Sequence, residues 1–121
     1  MKIGSVLHVS FLVADLERAR DFYENSLGLE PLSRPELGFP GAWYRLGAQQ
    51  LHLLRLPNPD PVSGRPPHGG RDRHVAVAVD DLDALTTRLD AAGIDYTTSR
   101  SGRRALFCRD PDGNALEFIE Q

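Results

Sequence analysis

The stretch Arg73-His74-Val75-Ala76-Val77-Ala78-Val79-Asp80-Asp81-Leu82 repeats the pattern of Leu7-His8-Val9-Ser10-Phe11-Leu12-Val13-Ala14-Asp15-Leu16. His74 falls on His8, Val79 on Val13 and Asp81-Leu82 on Asp15-Leu16, each 66 residues apart. Outward from there, Gly28 matches Gly93 at 65, Gly47 matches Gly113 at 66, and Leu51-His52 matches Leu116-Glu117 at 65, so only single-residue slips separate the halves. Half of a 121-residue chain is too short to bury a sizeable core alone, and the repeat therefore predicts two modules sharing one core. It also sets three histidines and one glutamate at corresponding places.

Within module one, 1–56, residues 5–13 are rich in Val, Leu and Phe and predict a buried strand. Asp15 then stands at a helix N-cap position, and Leu16, Ala19, Phe22, Tyr23 and Leu27 recur at helical spacing up to Gly28, a residue suited to the left-handed C-cap. A short strand over 30–34, a Pro/Gly loop, and strands over 42–46 and 50–56 complete a βαβββ unit. Residues 57–72 hold five of the nine prolines and no periodicity, which predicts a linker, and a loop of that length also suits a covering role over a site. Module two, 73–121, repeats the order: strand 73–79, helix from an Asp80 or Asp81 cap to Ala92, then strands 94–98, 104–109 and 114–120. The turn Asp110-Pro111-Asp112-Gly113 has Pro where φ is preset and Gly where a type I turn favours it. The fold class is α+β, two βαβββ modules in one domain over 1–121, with open mixed sheets forming a cupped site.

A net charge of −3 and a pI near 5.7 argue against nucleic-acid or anionic-membrane partners, which need a basic excess. The positive charge is carried by 13 Arg and a single Lys, with a local group at Arg65, Arg71, Arg73, Arg100, Arg103 and Arg104. The one cysteine, Cys108, has no internal disulfide partner and no base nearby in sequence to make it a nucleophile. No signal peptide pattern opens the chain and no apolar run reaches the roughly 18 residues of a membrane helix, so a cytoplasmic protein is expected.

Strand alternation assigns faces. With Val9, Phe11 and Val13 under the first helix, His8 faces the other way, and the same rule turns His74, His52 and Glu117 off the helix side. Strand packing does not require this. Three imidazoles and a carboxylate suit Fe, Ni, Co, Zn or Mn rather than a sulfur-seeking ion. His68 fits no place in the repeat and is expected to be a solvated loop residue. Trp43, Tyr44 and Phe107 are candidate pocket walls, and of Arg103 and Arg104 only one can face the cavity, where it could hold an anionic substrate end.

The paired βαβββ modules, the opening Leu7-His8-Val9-Ser10 with Ala14-Asp15-Leu16-Glu17-Arg18-Ala19 and Phe22-Tyr23 to Leu27-Gly28-Leu29, and the close Asp110-Pro111-Asp112-Gly113-Asn114-Ala115-Leu116-Glu117-Phe118 resemble the vicinal oxygen chelate superfamily. That group includes glyoxalase I, type I extradiol dioxygenases, fosfomycin-resistance enzymes, methylmalonyl-CoA epimerase and bleomycin-binding proteins. The resemblance implies one divalent metal per site, held by His8, His52, His74 and Glu117, and a small-molecule substrate. Glu117 resembles the metal-bound carboxylate that shuttles the proton in glyoxalase chemistry, although glyoxalase I usually has Glu where this chain has His52. The dioxygenase triad needs only the positions of His8, His74 and Glu117. Glyoxalase-like isomerase or lyase chemistry with Glu117 as base is the expectation; an Fe(II) extradiol-type dioxygenase or a metal-free antibiotic-binding protein are the alternatives. The resemblance further implies a homodimer, whose sites lie within one chain or combine His8 and His52 of one copy with His74 and Glu117 of the other.

Overall fold

Each half of the repeat folds into a four-stranded sheet backed by one helix. The structure, a computed structural model, describes residues 1–121. In the first module β1 (His8–Leu12) is followed by α1 (Leu16–Arg20), which runs on as a wider i→i+5 turn over Asp21–Ser26, then β2 (Pro31–Leu32), β3 (Gly41–Leu46) and β4 (Gln49–Leu54). The second has β5 (His74–Val79), α2 (Leu82–Ala91), β6 (Tyr96–Thr98), β7 (Ala105–Arg109) and β8 (Ala115–Glu120). The sheet orders, β1-β4-β3-β2 and β5-β8-β7-β6, are the same order written twice. In each sheet the first strand is parallel to the last and the other pairings are antiparallel, giving the expected α+β modules with mixed sheets.

Local chemistry accounts for the element ends. Asp15 caps α1 by accepting from the Arg18 amide, and Asp81, not Asp80, caps α2 by accepting from the Ala84 amide. The first strand begins at His8 rather than residue 5, because β4, its only neighbour, offers no residue before Gln49. Only Pro31 and Leu32 of the expected strand 30–34 pair with β3, since Pro35 disfavours continuing the chain alongside. The expected regular helix to Gly28 widens from Asp21 onward; both Phe22 and Tyr23, consecutive residues that an α-helix would splay by about 100°, are buried there.

One core joins the modules. Val13, Tyr23, Tyr44, Leu51 and Leu53 from the first pack in the same cluster as Leu85, Leu89, Leu106, Leu116 and Phe118 from the second. The helix-facing sides of both sheets are thereby spent on each other, and the opposite, histidine-bearing faces are left to solvent or to a partner. Tyr44, a candidate pocket wall, is fully buried on the core side. Residues 57–72 form more than a linker: they end in a 3₁₀ turn, Gly69–Arg71, and lie on the open face of the second sheet, where Gly69 packs against Phe107 and Ala115. Arg65 and Arg109 anchor the segment by closing on Asp72 from two sides at 2.7 and 2.8 Å, which holds that carboxyl well below the usual range. No helix is long and apolar enough to cross a membrane.

Candidate metal and substrate site

Strand register places the four expected ligands as two matching pairs. On the first sheet His8 pairs with Gln50 and Ser10 with His52, so the two histidines are diagonal neighbours and their rings stack at 4.1 Å. On the second, His74 pairs with Ala115 and Ala76 with Glu117, the same diagonal, and His74 Nε2 is 3.4 Å from Glu117 Oε1. The third strand adds an aromatic at the corresponding place in each. Trp43 pairs with His52 and stacks on it at 4.2 Å, while Phe107 pairs with Glu117 and meets the His74 ring edge-on at 5.2 Å.

Hydrogen bonds orient the donors. His74 Nδ1 donates to the Asp72 carbonyl at 2.9 Å, which turns Nε2 toward the Glu117 carboxylate. An imidazole nitrogen and a carboxylate oxygen side by side are donor types that a divalent cation takes, and an imidazole tethered through its other nitrogen is the usual arrangement of a metal-binding histidine. His52 Nε2 donates to Gln50 Oε1 at 2.8 Å, leaving Nδ1 as its lone pair. Burial, then the His8 ring and the Arg34 charge, hold the His52 imidazole below its ordinary pKa and so keep that lone pair available. Glu117 is only 3% exposed, and its second oxygen accepts from Arg103 at 3.1 Å. Donor type and tautomer fit a divalent ion. The number of donors in one chain does not, since no three His, Cys, Asp or Glu side chains of the chain come together.

Of the two arginines that alternation sets on opposite faces, Arg103 turns to the open face and Glu117. Arg104 turns to the helix side, where it pairs with Glu120 and Asp83. The expectation for His68 is corrected: it is buried, hydrogen-bonded through Nδ1 to Thr97 Oγ1 at 2.7 Å, and set edge-on against Phe107 at 4.8 Å. Gly70 makes room, because a Cβ there would come within 2.9 Å of His68 Nε2. The paired glycines after His68 were the sequence signal that this segment lies close on something. Cys108 is buried in the core with its thiol pushed up to about 12, which agrees with an inert residue.

The sequence profile of the Glyoxalase/Bleomycin resistance protein/Dioxygenase superfamily matches residues 5–118. The chain belongs to this superfamily. Among superfamily members, Glyoxylase I 4 of Arabidopsis thaliana is 31% identical over 98% of this chain and 71% of its own. Lactoylglutathione lyase of Haemophilus influenzae is 31% identical over 95% of this chain and 91% of its own. The crystal structure of a glyoxalase family protein from Bacillus anthracis superposes with a TM-score of 0.81 at 27% identity, covering 100% of this chain and 98% of that one. The match spans both βαβββ modules.

Proposed function

We propose that this superfamily member is a divalent-metal-dependent enzyme that isomerises or cleaves a small molecule by removing a proton beside a carbonyl, with Glu117 as base. The observation that carries the reading is His74 Nε2 and the Glu117 carboxylate side by side at 3.4 Å, with His8 and His52 at the corresponding register positions of the first sheet. His8, His52, His74 and Glu117 would hold the ion, one of Fe, Ni, Co, Zn or Mn. The chemistry it supplies when bound is Lewis acidity toward two adjacent substrate oxygens. Trp43 and Phe107 wall the substrate, and Arg103 holds the second Glu117 oxygen in place until that carboxylate takes the proton.

Each chain offers donors only in pairs, so the site is complete when two copies bring His8 and His52 of one against His74 and Glu117 of the other. Two features support a homodimer. β1 and β5 are edge strands without a hydrogen-bonded strand on one side, and Ile3, Val6 and Leu7 beside β1 are 91, 70 and 76% exposed.

Elemental analysis of untagged protein is expected to give about one divalent ion per chain. Glu117→Gln is expected to keep the fold and lose turnover of thiol adducts of 2-oxoaldehydes. Full turnover in that variant would remove Glu117 from the chemistry. Iron as the native ion, with oxygen-dependent cleavage of catechols, would turn the reading to the dioxygenases. Failure to take up any ion would favour a metal-free binding protein, a role that the Trp43 stack on His52 and the Arg103 pair with Glu117 also suit.

A further inference from the structure

Arg34 is an arginine that neither the repeat nor the expected ligand set singles out. Arg20, Arg45, Arg65 and Arg103 each face a carboxylate within 3.9 Å. Arg34 has no such partner: one guanidinium nitrogen donates to the Phe39 carbonyl at 2.9 Å, the Phe39 ring lies 4.9 Å below, and Nε is buried without any acceptor. A guanidinium has five N–H donors, so most of this one is unspent.

Its place is built. Leu32 pairs with Trp43, which puts Leu32 and, two residues on, Arg34 on the histidine-bearing side of the first sheet. The guanidinium fills the space over Gly41, where a Cβ would come within 2.8 Å of Arg34 Nε and 2.4 Å of the Leu53 carbonyl. Gly41 and Trp43 are alternate residues of β3 on that face, so the backbone under the guanidinium lies roughly 7 Å along the strand from that under the indole that stacks on His52. Where β2 ends and β3 begins, a notch of about 360 Å³ opens, lined by Arg20, Arg34, Leu32, Gly41, Trp43 and Glu24 among others. Glu24 is already engaged there, accepting from the Tyr44 hydroxyl at 2.7 Å and lying 3.9 Å from Arg20.

From this geometry we propose that Arg34 is a specificity residue and that the notch takes the anionic tail of the substrate. The inference rests on the metal-enzyme reading and adds a substrate class to it: a small molecule with an oxygen-chelating head over His52 and Trp43 and a carboxylate, phosphonate or phosphate at its far end. The cation is pinned by Phe39 and Gly41 before any ligand arrives, so little side-chain ordering is left to the binding step.

Two hydroxamates that share a three-carbon chain separate tail from head: glutaric acid monohydroxamate, which carries a carboxylate at its end, and butyrohydroxamate, which does not. Calorimetry on the metal-loaded protein is expected to show the charged probe binding about tenfold more tightly. Arg34→Met should erase that preference, so that the two probes bind alike, and Arg34→Lys should keep part of it. Equal affinities for the two probes in the wild type would overturn the assignment. If neither hydroxamate binds, the metal-enzyme reading fails, and the notch is judged on the metal-free protein by titrating inorganic phosphate and following the Arg34 Nε–H resonance. A saturable shift would sustain the anion site by itself, and no shift would overturn it.

Discussion

His68 shows how one side chain's role depends on what lies across from it. No residue in module one corresponds to it, and its neighbours Pro66, Pro67, Gly69 and Gly70 suggest an exposed loop. In the folded chain it is buried between Thr97 and Phe107, and burial, then the Arg100 and Arg71 charges, hold its imidazole below its ordinary value of 6.5. A histidine whose pKa falls on folding binds fewer protons folded than unfolded. Its contribution to stability is therefore full above the unfolded value and is lost as pH falls through the folded one. The melting temperature is expected to drop between about pH 7 and pH 5, and to drop less in His68→Asn, whose amide can still reach Thr97. Identical drops in the two proteins would show that His68 is not the titrating group.

At the scale of elements, the turn between β7 and β8 carries more than a change of direction. Asp110 accepts through one oxygen from the amides of Asp112 and Asn114, both at 2.9 Å, and through the other from the Tyr23 hydroxyl at 2.7 Å. Asp112 accepts from the Ala14 amide at 2.9 Å, and Asn114 donates to the Leu12 carbonyl at 3.1 Å. A turn of module two is thereby fastened to the start of the helix of module one. Burial raises the Asp110 carboxyl although these donors oppose it, and burial together with Asp110 raises the Tyr23 hydroxyl. Tyr23→Phe removes one donor from a buried carboxylate and is expected to destabilise the chain by about 1–3 kcal/mol. Urea unfolding should show this as a lower midpoint at unchanged slope. An unchanged midpoint would mean that water replaces the hydroxyl.

For the whole molecule the question is which chains share a site, and mixing dead variants answers it. One variant, His8→Ala with His52→Ala, loses the first pair; another, His74→Ala with Glu117→Gln, loses the second. If sites form between copies, each mixed dimer keeps one intact site, made from the first pair of one chain and the second pair of the other. Random exchange of equal amounts makes half the dimers mixed, so about a quarter of wild-type metal binding should return. Sites contained within one chain would give none. Double substitution of His8 and His74 alone should abolish tight metal binding, and metal retained at the wild-type level in that protein would place the ion elsewhere.

The sequence by itself determined the two-module α+β architecture and the facing of His8, His52, His74 and Glu117, because both follow from local periodicity and a 66-residue repeat that needs no knowledge of distant contacts. It also named Trp43, Tyr44 and Phe107 as candidate pocket walls, and it was the strand register that set Trp43 beside His52 and Phe107 beside Glu117. Only the tertiary structure decided that Arg103 rather than Arg104 meets Glu117, that His68 is buried, and that Arg34 lies unpaired over Gly41. Tertiary structure likewise decided that the four donors stand as two pairs. These depend on how loops cross strand faces and on which side of each sheet is consumed by the shared core. Contacts of that kind join residues far apart in the chain and leave no period in the sequence.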